Sequence, residues 1–417
     1  MSLDIAAPEA PSRDQFANEV ITVLKSAHPT KSVSYDADKF CLTIDSECKG
    51  GVTANLHNVY HEYLQAAPSK RPGTLRLFLK VLRETSLGVP DHFEDAAHDL
   101  LPVVRGRVAN EMELLRHEVE GTSKAPVFMA LAEHLSVSVG YDFSESTVHL
   151  GESQYQGWGV SFETVGQRAM ENLANLGCRF GGLRAKPGVY ELDTNDGYAA
   201  SRLLLPQVFT QPPLSGAPVA MVPRASCLLY TGDRDDDGLR IMLERAEQEL
   251  EKPRVIGGFA YRLSQQGVWH PWLPAPTHKL YRHFKKLADK TLADAYTHQQ
   301  RGLSYLEEGF KEPEKRLWVA TMFITRDDAL CGPLTSCNWT NHAPSLLPKT
   351  DTISFMRDLE EPPVLVPWNA VQKTVGHMMV PTGLYPDRYR VDSFPSGPQF
   401  AAILSAAKRE RRRRHPK

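Results

Sequence analysis

A chain of 417 residues is too long for one ordinary core, so two or three modules are expected, and 41% hydrophobic with 24% charged side chains is the composition of a globular protein in water. A formal charge of −2 excludes a generally basic nucleic-acid-binding surface, no apolar run has the length of a membrane span, and residues 1–14 lack the cationic start and apolar centre of a signal peptide. Six scattered cysteines without a Cys-x-x-Cys pair argue against both a zinc ribbon and a disulfide scaffold, so a reducing, cytoplasmic compartment is the expectation.

Residues 1–11 are small, acidic and Pro-bearing and are expected to be disordered. The folded chain then opens with a Ser-x-x-Gln capping box, Ser12 and Gln15, ahead of a helix to Ala27 that aligns Phe16, Val20 and Leu24. Val33 to Tyr35 and Phe40 to Ile44 alternate like a strand pair turned by residues 36–39. Helices are expected over Asn58 to Ala66 and Thr74 to Glu84, and Glu111 to Glu120 is charged enough for a solvated helix or linker. A first α+β module therefore spans 12–120.

A second module, 126–275, begins with Leu135 to Tyr141, whose strict alternation predicts a half-buried strand. Ser161 to Leu176 is an amphipathic helix with Val165, Ala169, Leu173 and Leu176 aligned and Gly177 as its stop. Val189 to Leu192 reads as a short strand, Val219 to Tyr230 as one buried strand, Leu239 to Leu250 as a helix, and Val255 to Leu273 as a hairpin around Ser264 to Gly267. Irregular alternation with hairpins favours α+β, mostly antiparallel sheet with helices packed on it.

Between these elements lies the stretch Thr194 to Phe209. Asp196 stands where an N-cap belongs, Gly197 permits a tight entry, and a helix-forming run follows until Pro206 ends it. On such a helix Tyr198, Ser201 or Arg202, and Leu205 share a face. Two readings follow: Arg202 pairs with a nearby carboxylate, or it contributes to an anion site at the helix N-terminus.

The order Pro102-Val103-Val104-Arg105, the Leu135 strand ending in Asp142, Ala169-x-x-Asn172-Leu173, and Asn195-Asp196-Gly197-Tyr198 with Ala200-Ser201-Arg202 resembles the YtpQ-like bacterial proteins, domain-of-unknown-function family 1444, over about residues 10–275. The resemblance implies a boundary and a set of shared residues, without an activity. Arg105, Asp142, Asp196, Tyr198, Ser201 and Arg202 are accordingly the candidate ligand-binding residues, with Arg105 and Arg202 expected to line a positive pocket for a carboxylate or phosphate.

Beyond residue 275 a C-terminal α+β extension, 276–407, starts with a long polar helix, His278 to Glu308, and is expected to pack on the preceding region without being needed for it to fold. Leu317 to Thr325 and Thr352 to Met356 read as strands, Gly332 to Lys349 as loop, and Lys408 to Lys417 as a basic, disordered tail.

Three patterns suggest metal or nucleophile chemistry. Asp233 to Glu244 fits the EF-hand loop expression, but a strand precedes it and Arg240 occupies a usually apolar position, so a structural acidic loop is expected. His57 and His61 stand four apart without the remaining ligands of a metal site. Cys331, Cys337 and His342 offer a thiol and an imidazole in one segment, against the commoner role of a buried structural cysteine. No phosphate-binding Gly-rich loop or Gly-x-Ser-x-Gly elbow is present. The reading is a non-enzymatic binding or interaction protein with no metal or cofactor, its partner a protein or small anion; the alternative is an enzyme of unrecorded class, hydrolysis being one candidate reaction, with a polar site at the module interface. Nucleic acid is expected to meet only the basic tail.

Overall fold

Helix α1 (Arg13–Ala27) begins where the capping box sets it: the Ser12 amide donates to Gln15 Oε1 at 2.7 Å and the Gln15 amide to Ser12 Oγ at 3.2 Å. Such a cap contributes about 1 kcal/mol. The computed structural model describes residues 11–27, 32–44, 52–121, 125–143, 146–176, 183–186, 188–192, 194, 196–210, 213–308, 317–327, 332–358 and 360–414. They divide into two compact units, one drawn from Met1–Val103, Ser138–Gly177 and Glu251–Val255, the other from Val104–Val137, Cys178–Leu250 and Ile256–Lys417.

In the first unit, β1 (Val33–Asp36), β2 (Cys41–Ile44) and β3 (Val52–Asn55) form an antiparallel sheet in that order. α1 lays Phe16, Val20 and Leu24 into one core with Phe40 and Leu42, and α2 (His57–Gln65) and α3 (Arg71–Leu87) add Val59, Tyr63, Leu75 and Leu82. β3 is an addition to the expected elements, since four residues carry too short an alternation to register.

A short helix α4 (Phe93–Ala96) leads to β4 (Leu100–Gly106), and α5 (Arg107–Glu120) follows directly. β5 (Phe128–Leu131), β6 (Leu135–Asp142) and β7 (Thr147–His149) complete a sheet ordered β4-β6-β5 with β7 on β6. Both β4 and β6 begin in one unit and end in the other. The alternation of β6 does not make it half-buried: Ser136 and Ser138 are as buried as the leucine and valines between them. Their hydroxyls are satisfied locally, Ser136 Oγ by Asn110 Nδ2 at 3.0 Å and Ser138 Oγ by His149 Nδ1 at 3.0 Å, which is what lets polar residues enter a buried strand.

After α6 (Glu152–Trp158), α7 (Phe162–Asn175) is capped by Ser161, whose Oγ accepts the Thr164 amide. Val165, Ala169 and Leu173 are fully buried along it, whereas Leu176, expected on the same face, is exposed at the C-cap; Gly177 lies outside the described residues. Asn172 Nδ2 reaches the carbonyls of Ala97 at 2.8 Å and Leu100 at 2.9 Å, fixing α7 to the entry of β4.

The second unit holds a six-stranded antiparallel sheet. β8 (Leu183–Lys186), β9 (Val189–Leu192), β10 (Pro218–Arg224), β11 (Cys227–Gly232), α8 (Asp236–Leu250), β12 (Ala260–Leu263) and β13 (Trp269–Trp272) follow in sequence, and the spatial order is β13-β12-β10-β11-β9-β8. The single strand expected over Val219 to Tyr230 is therefore a hairpin, turning at residues 225–226. α8 covers this sheet with Leu239, Met242, Leu243 and Ala246, and Leu280, Phe284 and Leu287 belong to the same core. These last three lie at and within α9 (Tyr281–Glu308), beyond residue 276, so the extension shares a core with the central strands.

Two mixed four-stranded sheets close the chain. β14 (Trp318–Val319), β15 (Phe323–Asp327), β16 (Gly332–Thr340), β17 (Ser345–Pro348), β18 (Thr352–Met356), β19 (Val364–Pro367), α10 (Trp368–Val375), β20 (Val380–Pro381), β21 (Arg388–Val391) and α11 (Gly397–Arg414) supply the orders β14-β17-β21-β20 and β15-β16-β18-β19. The segment expected as loop, 332–349, thus contains two strands. The expected disordered tail continues α11 as far as Arg414. Trp339, Phe355, Val371, Phe400 and Ile403 form the core here. With eleven helices and five mostly antiparallel sheets among the described residues, the protein is α+β, as its sequence implies.

Arg388 is buried in this region and its partners among the described residues are neutral: Nε donates to Gln299 Oε1 at 2.6 Å, and Nη1 to the carbonyls of Ala320 at 2.7 Å and Leu346 at 2.9 Å. Nη2 reaches the Tyr296 carbonyl at 3.4 Å. Burial pulls its guanidinium down to about 10, still far above neutrality, so the charge persists. Arg388→Ala leaves several buried acceptors without a donor and is expected to cost about 3 kcal/mol or more, read as a lowered midpoint in urea unfolding; Arg388→Met, which fills the volume without the donors, is expected to recover only part of it.

Candidate functional site

From Ala200 onward the chain is wound more tightly than an α-helix. Residues Ala200–Leu204 and Pro206–Phe209 are two 3-10 turns separated at Leu205, so Pro206 breaks the segment as expected, although the helix it ends is not α. Asp196 is not the N-cap. It lies four residues ahead of the first turn, where its Oδ1 accepts the Tyr198 amide at 2.9 Å, and Gly197 takes φ +76° between them.

The acid's second role is to hold Arg202. Nη2 donates to Asp196 Oδ2 at 2.6 Å and Nη1 to Oδ1 at 3.1 Å, a two-point pairing, and Nη1 also meets Thr194 Oγ1, which itself donates to Asp196. Arg202 is completely buried, so the expectation that it faces a cleft as an anion receptor is corrected: its charge is answered by Asp196 inside the fold. Burial pushes the Asp196 carboxyl up, but the hydrogen bonds from Arg202, Thr194 and the Tyr198 amide, with the guanidinium charge, outweigh it and hold the group below the usual carboxylate range.

The other candidates fall into place around this clamp or apart from it. Ser201 is buried and its Oγ accepts the Val104 amide at 3.3 Å, joining the 3-10 turn to β4 one residue before Arg105. Arg105 itself is exposed on β4, and Tyr198 is buried. Asp142 belongs to the first unit, whereas Arg105, Asp196, Tyr198, Ser201 and Arg202 belong to the second. Asp142 accepts from Thr147 Oγ1 at 3.4 Å, across the β6–β7 pair.

Four of the five carboxylates between Asp233 and Glu244 are engaged by protein donors. Asp233 accepts from the Ala217 amide at 3.0 Å and Arg262 Nε at 2.8 Å, Asp235 caps α8 through the Gly238 amide at 2.8 Å, Asp236 meets His278 and Lys279, and Glu244 meets Arg240. Gly232, at the loop's entrance, leaves room for the Ser215 backbone, whose oxygen a Cβ would approach to 2.1 Å. His57 is bound to Asn55 Oδ1 at 2.9 Å and packs edge-on to Phe40. Cys337 is buried, with Sγ directed at the Pro348 carbonyl, and burial raises its thiol to about 12, so it is a core residue and no nucleophile at neutral pH. His342 is exposed in a turn, and Cys331 lies outside the described residues. Among the described residues no group of three or more His, Cys, Asp and Glu is arranged to hold a metal ion.

A constellation absent from the sequence reading gathers at the β5–β6 turn. Ala132 and Glu133 both take left-handed backbone, φ +50° and +63°, a strain of roughly 1–2 kcal/mol per residue that a tight hairpin can sustain. The turn delivers His134 against Phe259, stacked with ring centroids 3.9 Å apart, and brings its Nδ1 within 2.8 Å of the Tyr385 hydroxyl. Arg107 lies 4.4 Å above the Tyr385 ring and is held by Glu111 at 2.7 Å. Burial, and then the Arg107 charge, lowers the His134 imidazole to about 4, while burial raises the Tyr385 phenol. Both are neutral at pH 7, and the hydrogen bond of His134 Nδ1 to Tyr385 leaves the second ring nitrogen, Nε2, outside that bond. The arrangement can exchange a proton along the His134–Tyr385 bond or present one ring nitrogen to a ligand. Residues 107, 134, 259 and 385 are too far apart in sequence to be grouped from it, and the turn lacks the Gly or Asn that would have advertised it.

No family model matches the chain, no curated protein matches it, and no solved structure matches it. No helix among the described residues is long and apolar enough to cross a membrane.

Two pH dependences follow with opposite chemistry. The Asp196 carboxyl is depressed in the folded state, so its stabilisation is complete above the unfolded carboxylate value and is lost as pH falls through the folded one; the stability gap between the parent and Asp196→Asn is expected to be widest near neutral pH and to close as pH falls below the usual carboxylate range. His134 is also depressed, but as a base: between about pH 6.5 and 4 the unfolded chain binds a proton that the folded chain does not. Stability is therefore full above that window and falls by about 3 kcal/mol through it, and His134→Phe is expected to lose this part of the acid dependence in thermal unfolding followed at fixed ionic strength.

Proposed function

We propose that this protein acts by binding another protein and has no catalytic chemistry of its own, as a bacterial, cytoplasmic relative of the YtpQ-like proteins. One observation carries the reading. Each of the four outer strands of the two C-terminal sheets exposes a large hydrophobic side chain: Trp318 on β14 (39%), Val380 on β20 (54%), Ile324 on β15 (45%) and Val364 on β19 (37%). An outer strand offers backbone donors and acceptors to a further strand, and natural proteins ordinarily guard such edges with charge or proline. Here apolar groups stand beside the charge and proline that these strands also carry, Arg326 and Asp327 on β15, Pro367 on β19 and Pro381 on β20, and the Val319 carbonyl of β14 accepts Gln300 Nε2 at 2.8 Å; strand addition from a partner would use the remaining main-chain groups for affinity and the apolar contacts for selection. The dispersal of the Asp196, Ser201 and Asp142 side chains into local bonds supports the same reading, because groups committed to the fold are not available for turnover.

The test is photo-crosslinking. A benzophenone side chain at 318, 324, 364 or 380 of the full chain is expected to capture one and the same partner from cells, and Val380→Lys and Ile324→Lys to reduce that capture by tenfold or more without lowering Tm. Equal capture from the exposed α8 position 240 would defeat the reading.

A second reading, an enzyme of a class not yet assigned, rests on the hydrogen bond between His134 and Tyr385 under the Arg107 charge. It requires that Tyr385→Phe, which keeps the ring over which Arg107 lies, abolish any turnover found while leaving the fold in place.

A further inference from the structure

α3 has one apolar side and one cationic side. Leu75 and Leu82 are buried with Phe16 and Phe40, and Phe78 and Leu79 pack against the same core, so the apolar side is fully used within the first unit. At 3.6 residues per turn and 1.5 Å per residue, Arg76, Lys80 and Arg83 fall within about 60° of arc, about 6 and 4.5 Å apart along the axis, and all three are exposed. Leu77 beside them is 48% exposed, and a Cβ added at Gly73 on the same side would meet nothing within 4 Å. The internal ion pair here, Lys80 with Glu84 at 3.8 Å, is a surface contact of the kind that contributes little.

The charge then changes sign along the chain. Residues 66–83 hold five Lys or Arg and no Asp or Glu, and residues 84–103 hold five Asp or Glu and no Lys or Arg. Asp91, Glu94 and Asp95, in and just before α4, are exposed and have no ion-pair partner among the described residues; Arg76 has none either. Phe93 stands among these acids, half-buried, with its ring edge-on to Trp158 at 5.7 Å. The first unit thus presents a cationic helix side carrying an exposed Leu and an anionic segment carrying a half-buried aromatic ring, and no ion pair joins the two among the described residues.

We propose that the outer side of α3 is a docking surface for a second copy of this chain, which brings Asp91, Glu94 and Asp95 to Arg76, Lys80 and Arg83, and Phe93 to Leu77. Charge complementarity chooses this occupant: each copy carries both halves, so in a two-fold pair the contact is made twice. A lipid surface needs a broad apolar side, and α3 has only Leu77 left to offer. A nucleic-acid backbone would neutralise the cations but cover Leu77 with phosphate and gain nothing from the carboxylates. The residues involved are other than those of the outer strands invoked above, and the two proposals can fail separately.

The experiment is sedimentation equilibrium of the full chain at 50 and 500 mM NaCl. A species of twice the chain mass is expected at 50 mM, with its dissociation constant raised tenfold or more at 500 mM, because salt screens exposed charges over a shorter distance. The triple reversal Arg76→Glu, Lys80→Glu, Arg83→Glu and the triple reversal Asp91→Lys, Glu94→Lys, Asp95→Lys are each expected to be monomeric alone and to form a mixed dimer when combined, since every contact is then between opposite charges again. That restoration also shows that both variants are folded. Leu77→Asp is expected to weaken the dimer tenfold or more without lowering Tm. A monomer at 50 mM NaCl, a dimer indifferent to either reversal, or reversals that stay monomeric on mixing would each overturn the proposal. So would a monomeric parent that binds a DNA duplex or phosphatidylserine vesicles through Arg76, Lys80 and Arg83, by giving the helix side to a different occupant.

Discussion

The C-terminal half depends on a single buried cation. Arg388 sits at the start of β21 and draws to itself the side chain of Gln299 and the carbonyl of Tyr296 on α9, the carbonyl of Leu346 on β17, and that of Ala320 just past β14. A guanidinium out of water is tolerable only if nearly all its donors are matched, and no carboxylate among the described residues bonds to it. Four chain segments must therefore arrive at the right places together. Tyr296 extends the same arrangement, since its hydroxyl donates to the Asp387 carbonyl at 2.7 Å and accepts the Lys349 amide at 3.0 Å. Nearby, Lys285 is clasped between Asp289 and Asp351, which in turn receives the Thr335 amide. The long helix α9 is thus tied to both terminal sheets by polar contacts, those of Arg388 buried, where each is worth more than at the surface, and that of Lys285 with Asp351 partly open to solvent.

The two arginines buried most completely show different solutions to one problem. Arg202 is matched by an acid six residues away, so its ion pair is made within a single turn-rich segment. Arg388 has only peptide and amide oxygens, drawn from residues up to 92 positions distant. The first arrangement stabilises a local excursion of the chain, and the second specifies a global one.

Much of the fold could be read from local signals. The capping box at Ser12, the stripe of Val165, Ala169 and Leu173 on α7 and the hairpin ending at Trp272 all rest on side chains within a few residues of one another, and each forms as its pattern implies, Leu176 alone leaving the stripe at the helix end. What escaped reading depends on partners far away. Ser136 and Ser138 alternate like surface residues, yet Asn110 and His149 make their burial possible. β16 reads as loop because its Asn, Thr and Ser residues look like turn formers, and only pairing to β15 on one side and β18 on the other makes it a strand. The candidate site was legible in composition but not in role: the prominent Asp196 and Arg202 answer each other, while His134 became noticeable only when a hairpin turn, a strand neighbour and a distant loop met.

The way β4 and β6 run between units sets a timetable for biosynthesis. The first unit is not complete until Glu251–Val255 has been made, by which point the six-stranded sheet of the second already has four of its strands, and that sheet's core in turn waits for Phe284 and Leu287. Neither unit can finish while the ribosome is still near the end of its first segment. A nascent chain of this protein must hold apolar strands in waiting for well over a hundred residues, about ten seconds or more of synthesis, and during that interval its demand for chaperones is set by topology and not by final stability.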